Sequence, residues 1–222
     1  RVGKPITRDI SARDIMLAEN TGSRLHIAHI STARSIELVR EAKQLGFNIT
    51  CEVTPHHLIL TEDACLGFDT NTKMKPPLRT EADRQACVQA LKDGIIDCIA
   101  TDHAPHADFE KVREFDHAPF GIIGLETAFP ALYHHLVKPG HISLERIVDA
   151  LTSVPASLLD LPPSALKIGY PADICLVDLN QETSFESEEI ASKSKNTPWL
   201  NQKLSGKVIY TILDGRITWE AI

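Results

Sequence analysis

The sequence contains no long hydrophobic run and no concentration of positive charge. No apolar stretch approaches the roughly 20 residues that a transmembrane helix needs, so we expect no membrane partner. The 30 acidic residues outnumber the 23 basic ones, the net charge is −7, and the basic residues form no stripe. This balance argues against nucleic acid as a partner. The absence of a signal-peptide pattern favours a cytoplasmic protein.

Closely spaced cysteine pairs are also missing. The five cysteines are odd in number and widely separated along the chain: Cys51, Cys65, Cys87, Cys98 and Cys175. Three of them lie in apolar, strand-like runs, which is typical of reduced thiols in the core of a cytosolic protein. We therefore expect free core thiols.

An initiating methionine is absent, and residues 1–5 resemble the middle of a loop. This start fits a processed product or a truncated chain equally well. What the sequence does offer is 222 residues with 43% hydrophobic content. That is enough for a real core in one large domain or two modest ones.

Helical and strand patterns alternate through the first 160 residues. Helices are predicted over residues 11–20, 32–45, 80–92, 124–137 (with a kink at Pro130) and 143–153, and strands over 25–30, 47–54 and 95–100. Thr32 and Thr80 supply oxygens that can cap two of these helices. The alternation predicts an α/β fold with βαβ units and a parallel sheet. Residues 58–79 have no clear period and are predicted to form a long functional loop.

The pattern changes near residue 161 to strands without helices between them. Apolar runs at 174–177 and 208–213 predict strands, and Asp214-Gly215 is a hairpin turn signal. We therefore divide the chain into an α/β part over residues 1–160 and a small β-rich appendage over residues 161–222.

Polar side chains follow the predicted parallel strands where each strand ends. His29 closes the first strand, His56 and His57 follow the second, and Asp102 follows the third. Because neighbouring strands lie about 5 Å apart and their carboxyl ends face one cavity, His29 and Asp102 are expected to reach the same cation. Imidazole and carboxylate are usual ligands of catalytic zinc.

The other histidines are expected to lie away from the metal. Strand alternation puts His26 on the face opposite to His29. His56 and His57 follow Pro55 at a turn, and we expect them to be solvated or to support a ligand from behind. Three more fall on or after a predicted helix and are expected at the surface: His134, His135 and His141.

Two loops offer candidate substrate contacts. The turn from Lys75 to Arg79 contains two prolines and two cations, and it is either a loop stiffener or an anion-binding lip on the cavity. The segment from Phe120 to Gly124 contains Gly121, and its backbone amides can approach a ligand; the alternative is an ordinary flexible entry into a helix.

Five motifs, taken in order, resemble those of dihydroorotases of the multidomain-like bacterial type, which belong to the amidohydrolase superfamily. They are LHIAHIST at 25–32, EVTPHHL at 52–58, PPLR at 76–79, ATDHAPH at 100–106 and FGIIGLET at 120–127. GYPAD at 169–173 and SKSKNTPW at 192–199 are similar to the strand-rich end of the same enzymes. The resemblance runs essentially from end to end.

The resemblance implies a fold and a reaction. The fold is the C-terminal part of a (β/α)8 TIM-type barrel with a small β-rich C-terminal appendage, and the complete site holds one or two Zn2+ ions. The reaction is the reversible conversion of N-carbamoyl-L-aspartate to L-dihydroorotate plus water in pyrimidine biosynthesis. The expected partner is therefore a small-molecule substrate.

The same resemblance implies roles for individual residues. His29 and Asp102 match metal-binding positions, and Asp102 also matches the catalytic residue that shuttles the proton. His106 and the Phe120-Gly121 backbone match positions that hold the substrate. The family's asparagine before Pro-Pro-Leu-Arg, another substrate contact, is replaced by Lys75, and an ammonium group can only donate hydrogen bonds.

The remaining metal ligands of the family precede the segment that begins here. Three strands are predicted, whereas a closed barrel needs eight. We therefore expect the C-terminal half of a dihydroorotase, inactive alone, whose partners are the missing N-terminal half of the barrel and further copies in a homo-oligomer.

Two alternatives stay open. Lys75 is compatible with another cyclic amidase, such as a dihydropyrimidinase or an allantoinase. A third possibility is a non-catalytic dihydroorotase-like subunit that supports aspartate transcarbamoylase. The presence of both His29 and Asp102 argues against it, because a purely structural subunit needs neither residue.

Overall fold

The structure, a computed structural model, describes residues 6–162 and 165–221, so the loop predicted for residues 1–5 lies outside the described residues. Within these ranges no helix has the length and apolarity to cross a membrane. The chain forms two compact units, Arg1–Leu125 with Ser192–Pro198, and Glu126–Ala191 with Trp199–Ile222. The division of the sequence at residue 160 stays a prediction.

The first unit alternates helices with parallel strands. Its elements are α1 (Ile6–Thr21), β1 (Leu25–Ile27), α2 (Ala33–Gln44), β2 (Ile49–Val53), α3 (Pro55–Ile59), α4 (Glu81–Lys92), β3 (Cys98–Ile99) and α5 (Asp108–Lys111), with 3-10 turns at Glu62–Cys65 and Thr70–Thr72. The strands pair in the order β1-β2-β3, all parallel, in the register Ile27 with Cys51 and Val53 with Ile99. The predicted α/β pattern with a parallel sheet is confirmed.

The helices α2 and α4 begin where the sequence predicts, whereas the helix predicted over 11–20 begins at Ile6 and the one predicted over 124–137 begins at Ala128. The side chain of Thr32 accepts a hydrogen bond from the amide of Ser35, and that of Thr80 accepts one from the amide of Asp83. The carboxylate of Asp83 also accepts from the amide of Ala33 at 3.0 Å. This contact joins the first turns of α2 and α4 at the edge of the sheet where the strands end.

All three parallel strands are shorter than predicted, and after β1 and β3 the backbone leaves the extended conformation. β1 ends at Ile27 and β3 at Ile99. His29 and Asp102 then adopt left-handed φ angles of +53° and +48°. Non-glycine residues rarely occupy this region, which costs of order 1 kcal/mol each. The candidate site residues therefore sit on strained backbone.

The two faces of β2 differ in polarity. Ile49, Cys51 and Val53 are buried, whereas Thr50 and Glu52 are half-buried on the opposite face. α2 buries Ile36, Val39 and Ala42 through its helical spacing. The other face of the sheet is thus left for polar side chains.

Four of the five cysteines are at least partly buried, and the fifth is exposed. Cys51, Cys87 and Cys98 are buried, Cys65 is partly buried, and all five thiols are free. Burial raises the pKa of Cys51 and of Cys87 to about 12, so these thiols stay protonated. The expectation of a core thiol is wrong for Cys175, which is exposed on an antiparallel strand.

The second unit combines short helices with an antiparallel sheet. It contains α6 (Ala128–Leu132), a π-helical turn (Tyr133–Val137), α7 (Leu144–Leu151), α8 (Ser153–Leu158), β4 (Ile174–Ser184), β5 (Lys203–Leu213) and β6 (Arg216–Glu220). The sheet order is β4-β5-β6. Asp214 and Gly215 have φ angles of +49° and +74° and join β5 to β6 as the predicted hairpin turn.

The paired histidines of the second unit correct a prediction. His134 and His135 are half-buried rather than at the surface. Nδ1 of His134 accepts a hydrogen bond from the amide of Ser205 at 3.1 Å, and burial lowers the pKa of His135. They follow Leu132 in a π-helical turn, which the sequence pattern did not reveal. His141 is exposed, as expected.

A partly buried ion pair between Lys43 and Asp97 links α2 to the parallel sheet. Nζ of Lys43 lies 2.8 Å from both carboxylate oxygens of Asp97 and 2.8 Å from the carbonyl of Ile95. One of those Asp97 oxygens also accepts a hydrogen bond from the amide of Cys51 at 2.8 Å. Asp97 therefore connects α2, β2 and the residues before β3.

Asp97→Ala is expected to lower the free energy of unfolding by about 2 kcal/mol, because it leaves the partly buried Lys43 without its counter-charge and the Cys51 amide without its acceptor. Urea-induced unfolding measures the change. Glu37→Ala, which removes an exposed ion pair with Arg34, is the matched control and should leave stability nearly unchanged. Equal effects of the two substitutions would contradict the role given to Asp97.

Candidate active site

His29 and Asp102 meet beyond the carboxyl ends of β1 and β3. Nε2 of His29 lies 3.7 Å from Oδ1 of Asp102, and both side chains are partly exposed. The structure therefore brings together the two residues predicted as metal ligands. Zinc lies roughly 2.0–2.2 Å from nitrogen and oxygen ligands, so donor atoms at this separation can reach one cation.

Glu52 joins two histidines on the polar face of the sheet. Its Oε2 lies 3.2 Å from Nε2 of His26, and its Oε1 lies 2.9 Å from Nδ1 of His29. The prediction that His26 and His29 point to opposite faces is wrong. Because β1 ends at Ile27 and His29 adopts a left-handed φ, strand alternation no longer holds between them. Sequence reasoning missed Glu52, although its position on the half-buried face of β2 is the signal that marks it.

The contact with Glu52 determines which ring nitrogen of His29 is available to bind a metal. Nδ1 is buried, it makes no hydrogen bond of good geometry within the described residues, and the carboxylate oxygen of Glu52 is 2.9 Å away. Glu52 is the nearer of the two carboxylates, so the ring proton is assigned to Nδ1, and Nε2, 3.7 Å from Asp102, keeps the lone pair that a metal needs. The donor set thus fits a divalent cation.

The charges of this group depend on one another. Burial raises the pKa of Glu52, but contacts with His26 and His29 outweigh it and lower the pKa to about 2. The contact with Glu52 raises the pKa of His29. Burial raises the pKa of Asp102, and the charge of His29 acts in the opposite direction. Glu52 therefore remains ionised at neutral pH, while the carboxylate of Asp102 has a raised pKa and binds a proton more readily than usual.

A second set of possible donor atoms lies on the same face of the sheet. Among the described residues, His26, Glu52 and Cys98 offer ligand atoms within 4.8 Å of one another. Cys98 is buried and is the register partner of Glu52, while His26 also contacts Thr50 at 2.8 Å. These residues line the polar face behind His29 and Asp102.

The loop that follows Asp102 is held by His103. Nδ1 of His103 accepts hydrogen bonds from the amides of Gly124 and Leu125 at 3.0 and 3.3 Å. A Cβ atom on Gly124 would lie 2.8 Å from the carbonyl oxygen of Thr101, so only glycine permits this approach. His103 therefore joins the two loops that carry the candidate substrate contacts.

His106, Phe120 and Gly121 lie together, as the sequence suggests. Nε2 of His106 lies 2.8 Å from the carbonyl of Phe120 and donates to it. Gly121 has a φ of +142°, and a Cβ atom there would lie 2.7 Å from Cβ of Ala104 and 2.9 Å from the His106 ring. The glycine is required because the two loops touch at this point.

Asn196 fastens the same two loops and was not recognised from the sequence. Its Oδ1 accepts from the amide of His106 at 3.2 Å, and its Nδ2 donates to the carbonyls of Ala104 and Gly121 at 2.9 and 3.0 Å. The side chain is buried. The SKSKNTPW motif pointed to this segment, but only the fold shows which loops it reaches.

The two cations of the turn from Lys75 to Arg79 lie in different surroundings. Lys75 is exposed, with Nζ 6.0 Å from the centre of the Phe120 ring. Arg79 is buried, and its Nε donates to Oγ of Ser31 at 3.3 Å, so it is not part of a solvent-facing lip. Arg79 therefore stabilises the turn through a buried contact.

His56 and His57 are fully enclosed, so solvation is the wrong expectation for both. Nε2 of His57 donates to the carbonyl of Pro76 at 3.0 Å, and its Nδ1 lies 2.8 Å from Oγ1 of Thr54. Burial lowers the pKa of His56 to about 3 and that of His57 to about 4. The two rings are neutral, and His57 ties α3 to the turn that carries Lys75.

Asn196→Ala is expected to increase amide hydrogen exchange at His106 and in residues 119–124 by roughly 10-fold or more, because it removes the acceptor of the His106 amide and the donor to two carbonyls. Hydrogen-exchange mass spectrometry measures this. Asn180→Ala, at an exposed position of β4, is the control. Unchanged exchange in these loops would contradict the role of Asn196.

Comparison with known proteins supports the likeness inferred from the motifs. The curated dihydroorotases of Staphylococcus epidermidis and Bacillus caldolyticus are 48% and 49% identical to this chain over 209 residues, which cover 94% of it and 49% of each relative. The L-hydantoinase (dihydropyrimidinase) of Arthrobacter aurescens is 28% identical with a TM-score of 0.90, over 96% of this chain and 48% of that one.

The chain therefore spans about half the length of the curated relatives it matches. The predicted resemblance to dihydroorotases is confirmed by these identities. A match to the amidohydrolase family extends over residues 10–218, nearly the whole sequence. The chain belongs to the amidohydrolase family.

Proposed function

We propose that this chain is the C-terminal half of a zinc-dependent dihydroorotase, which interconverts N-carbamoyl-L-aspartate and L-dihydroorotate plus water. The observation that carries the proposal is the meeting of His29 and Asp102, 3.7 Å apart, at the carboxyl ends of parallel strands. The identity of about half of all positions to curated dihydroorotases supports the choice of reaction.

His29 and Asp102 would hold the cation from this half of the site. Zinc supplies a Lewis acid that polarises the amide carbonyl and lowers the pKa of bound water towards 7. Catalytic zinc usually has three protein ligands, so two residues are too few for an independent site. We therefore infer that the N-terminal half contributes the others and that the present chain alone is inactive.

Asp102 is suited to move the proton. In ring opening, the water oxygen bonds to the amide carbon, the ring C–N bond breaks, and the proton lost by water passes to the leaving nitrogen. A carboxylate beside His29 can accept that proton and return it. Ring closure follows the same steps in reverse.

The substrate contacts proposed are His106, Lys75 and the Phe120-Gly121 backbone. The Phe120 carbonyl already accepts from His106, which fixes the orientation of that ring. The exposed ammonium group of Lys75 lies next to Phe120 and is suited to pair with a substrate carboxylate. A cation at this position favours an anionic substrate over a neutral cyclic amide.

The fold supports a barrel shared between two halves. We propose that residues 1–160 form the last strands and helices of a (β/α)8 barrel and that residues 161–222 form its appendage. β1 lies at the edge of the described parallel sheet, so its outer side can pair with a further strand. The free thiols fit a cytoplasmic protein, and association with a second copy also remains our prediction.

A second candidate function is hydrolysis of another cyclic amide. The likeness to the L-hydantoinase (dihydropyrimidinase) of Arthrobacter aurescens favours it, since the TM-score is 0.90. A dihydropyrimidinase would share the metal ligands and differ in what surrounds the substrate. Lys75 is the residue in this chain that bears on the choice.

The complete protein is expected to turn over dihydroorotate in preference to dihydrouracil and allantoin. Asp102→Asn should lower kcat by roughly 10²–10⁴-fold, because the amide cannot accept the proton. Removal of metal by a chelator should abolish turnover, and zinc should restore it. Asp93→Asn, at the exposed end of α4, is the control variant. Preference for dihydrouracil would instead support the second candidate, and turnover by Asp102→Asn at the native rate would contradict both.

Glu52→Gln is expected to weaken zinc binding by roughly 10–100-fold, because an amide orients His29 less strongly than a carboxylate. Competition with a chromophoric chelator measures the affinity without reference to catalysis. Glu37→Gln, on the exposed face of α2, is the matched control. Native affinity in Glu52→Gln would show that the contact with His29 is incidental.

A further inference from the structure

Two buried lysines approach the loop from 115 to 121 and are used by none of the steps above. Lys73 is 8% exposed and Lys111 is 6% exposed, so both ammonium groups are removed from bulk water. Lysine is rarely buried to this degree unless its charge is compensated. The two residues come from different parts of the chain, the end of a 3-10 turn and the end of α5.

Lys73 binds the backbone of the first part of the loop. Its Nζ donates to the carbonyls of Phe115, Asp116 and Ala118, which uses all three of its hydrogens. The same atom lies 4.6 Å from the centre of the Phe120 ring.

The backbone of Lys73 extends the contact to the end of the loop. Its carbonyl accepts from the amide of Gly121 at 2.9 Å. Lys73 therefore touches the loop through both its side chain and its main chain.

Lys111 holds the second part of the loop. Its Nζ donates to the carbonyls of Pro119 and Gly121 at 3.1 and 3.0 Å, on either side of Phe120. The carbonyl of Gly121 also accepts from Asn196 at 3.0 Å. The peptide units around Phe120 are thus fixed from two directions.

The hydrogen-bond acceptors of both ammonium groups are backbone carbonyls and not carboxylates. Within the described residues neither lysine has a carboxylate at ion-pair distance, and Asp69 acts on Lys111 only from further away. Burial lowers the pKa of Lys111 to about 8, and the charge of Lys73 acts in the same direction. Such an arrangement costs desolvation energy, and what it secures is the conformation of a loop without regular secondary structure.

We propose that Lys73 and Lys111 are positioning residues that fix the Phe120-Gly121 backbone, and through it the ring of His106, for binding of the substrate carboxylate. The inference rests on the proposed function for its substrate, and on the carbonyl contacts for its geometry. The lysines act through the loop and are not placed in contact with substrate. Loss of Lys111 releases the carbonyls on either side of Phe120, and loss of Lys73 releases those of the residues before it. Recognition is then weakened while the residues at the metal remain in place.

The test uses the complete protein with Lys111→Met, Lys73→Met and Lys111→Arg. Each Met variant should raise KM for dihydroorotate by about 10-fold while kcat changes by less than about threefold, since ground-state binding and not chemistry is disturbed. Lys111→Arg keeps the charge and should recover much of the loss. Lys92→Met, at the exposed end of α4, is the matched control and should leave KM and kcat unchanged.

Hydrogen-exchange mass spectrometry supplies a readout that does not need turnover. Residues 115–121 should exchange about 10-fold faster in both Met variants, with α2 and α4 unchanged. Native KM together with native exchange in Lys111→Met would overturn the proposal, as would a fall in kcat with KM unchanged. If Lys73→Met does not fold, Lys111→Met and Lys111→Arg decide the matter. If the native protein does not turn over dihydroorotate, the proposed function fails, and the exchange result alone decides whether the lysines hold the loop.

Discussion

The carboxylate of Glu52 is the contact on which the polar side of the parallel sheet depends. It lies on the half-buried face of β2, and it touches His26 from β1 and His29 from the turn that follows. One charged group therefore holds two strands in relation to each other and decides which nitrogen of His29 is free. In this orientation Nε2 of His29 lies 3.7 Å from the carboxylate of Asp102.

Local features of the fold could be predicted because they depend on residues close in sequence. Thr32 and Thr80 cap helices through amides three residues away, and Asp214-Gly215 closes a hairpin between adjacent strands. The meeting of His29 and Asp102 was also predictable, since parallel strands must end at one edge. These inferences need only chain geometry and the side-chain type at each position.

The remaining features depend on contacts between distant residues or on backbone strain. The turn of Arg79 was interpreted either as a loop stiffener or as an anion-binding lip, and only the fold shows that Arg79 is enclosed beside Ser31, 48 positions earlier. Asn196 reaches His106 across 90 positions, and no local pattern announces such a pairing. His26 was misplaced because strand alternation was applied past the point where β1 ends. A rule based on period fails wherever a residue such as His29 leaves the regular backbone.

The hydrogen bonds of Asn196 have a consequence for how the chain is made. Its amide group reaches Gly121, 75 residues earlier, so the loops that surround His106 lack a buried partner until residue 196 has emerged from the ribosome. At common synthesis speeds of about 5–20 residues per second, this delay is roughly 4–15 seconds. The parallel strands can pair during that interval, whereas the loops around His106 gain this buried partner only after residue 196 has been synthesised.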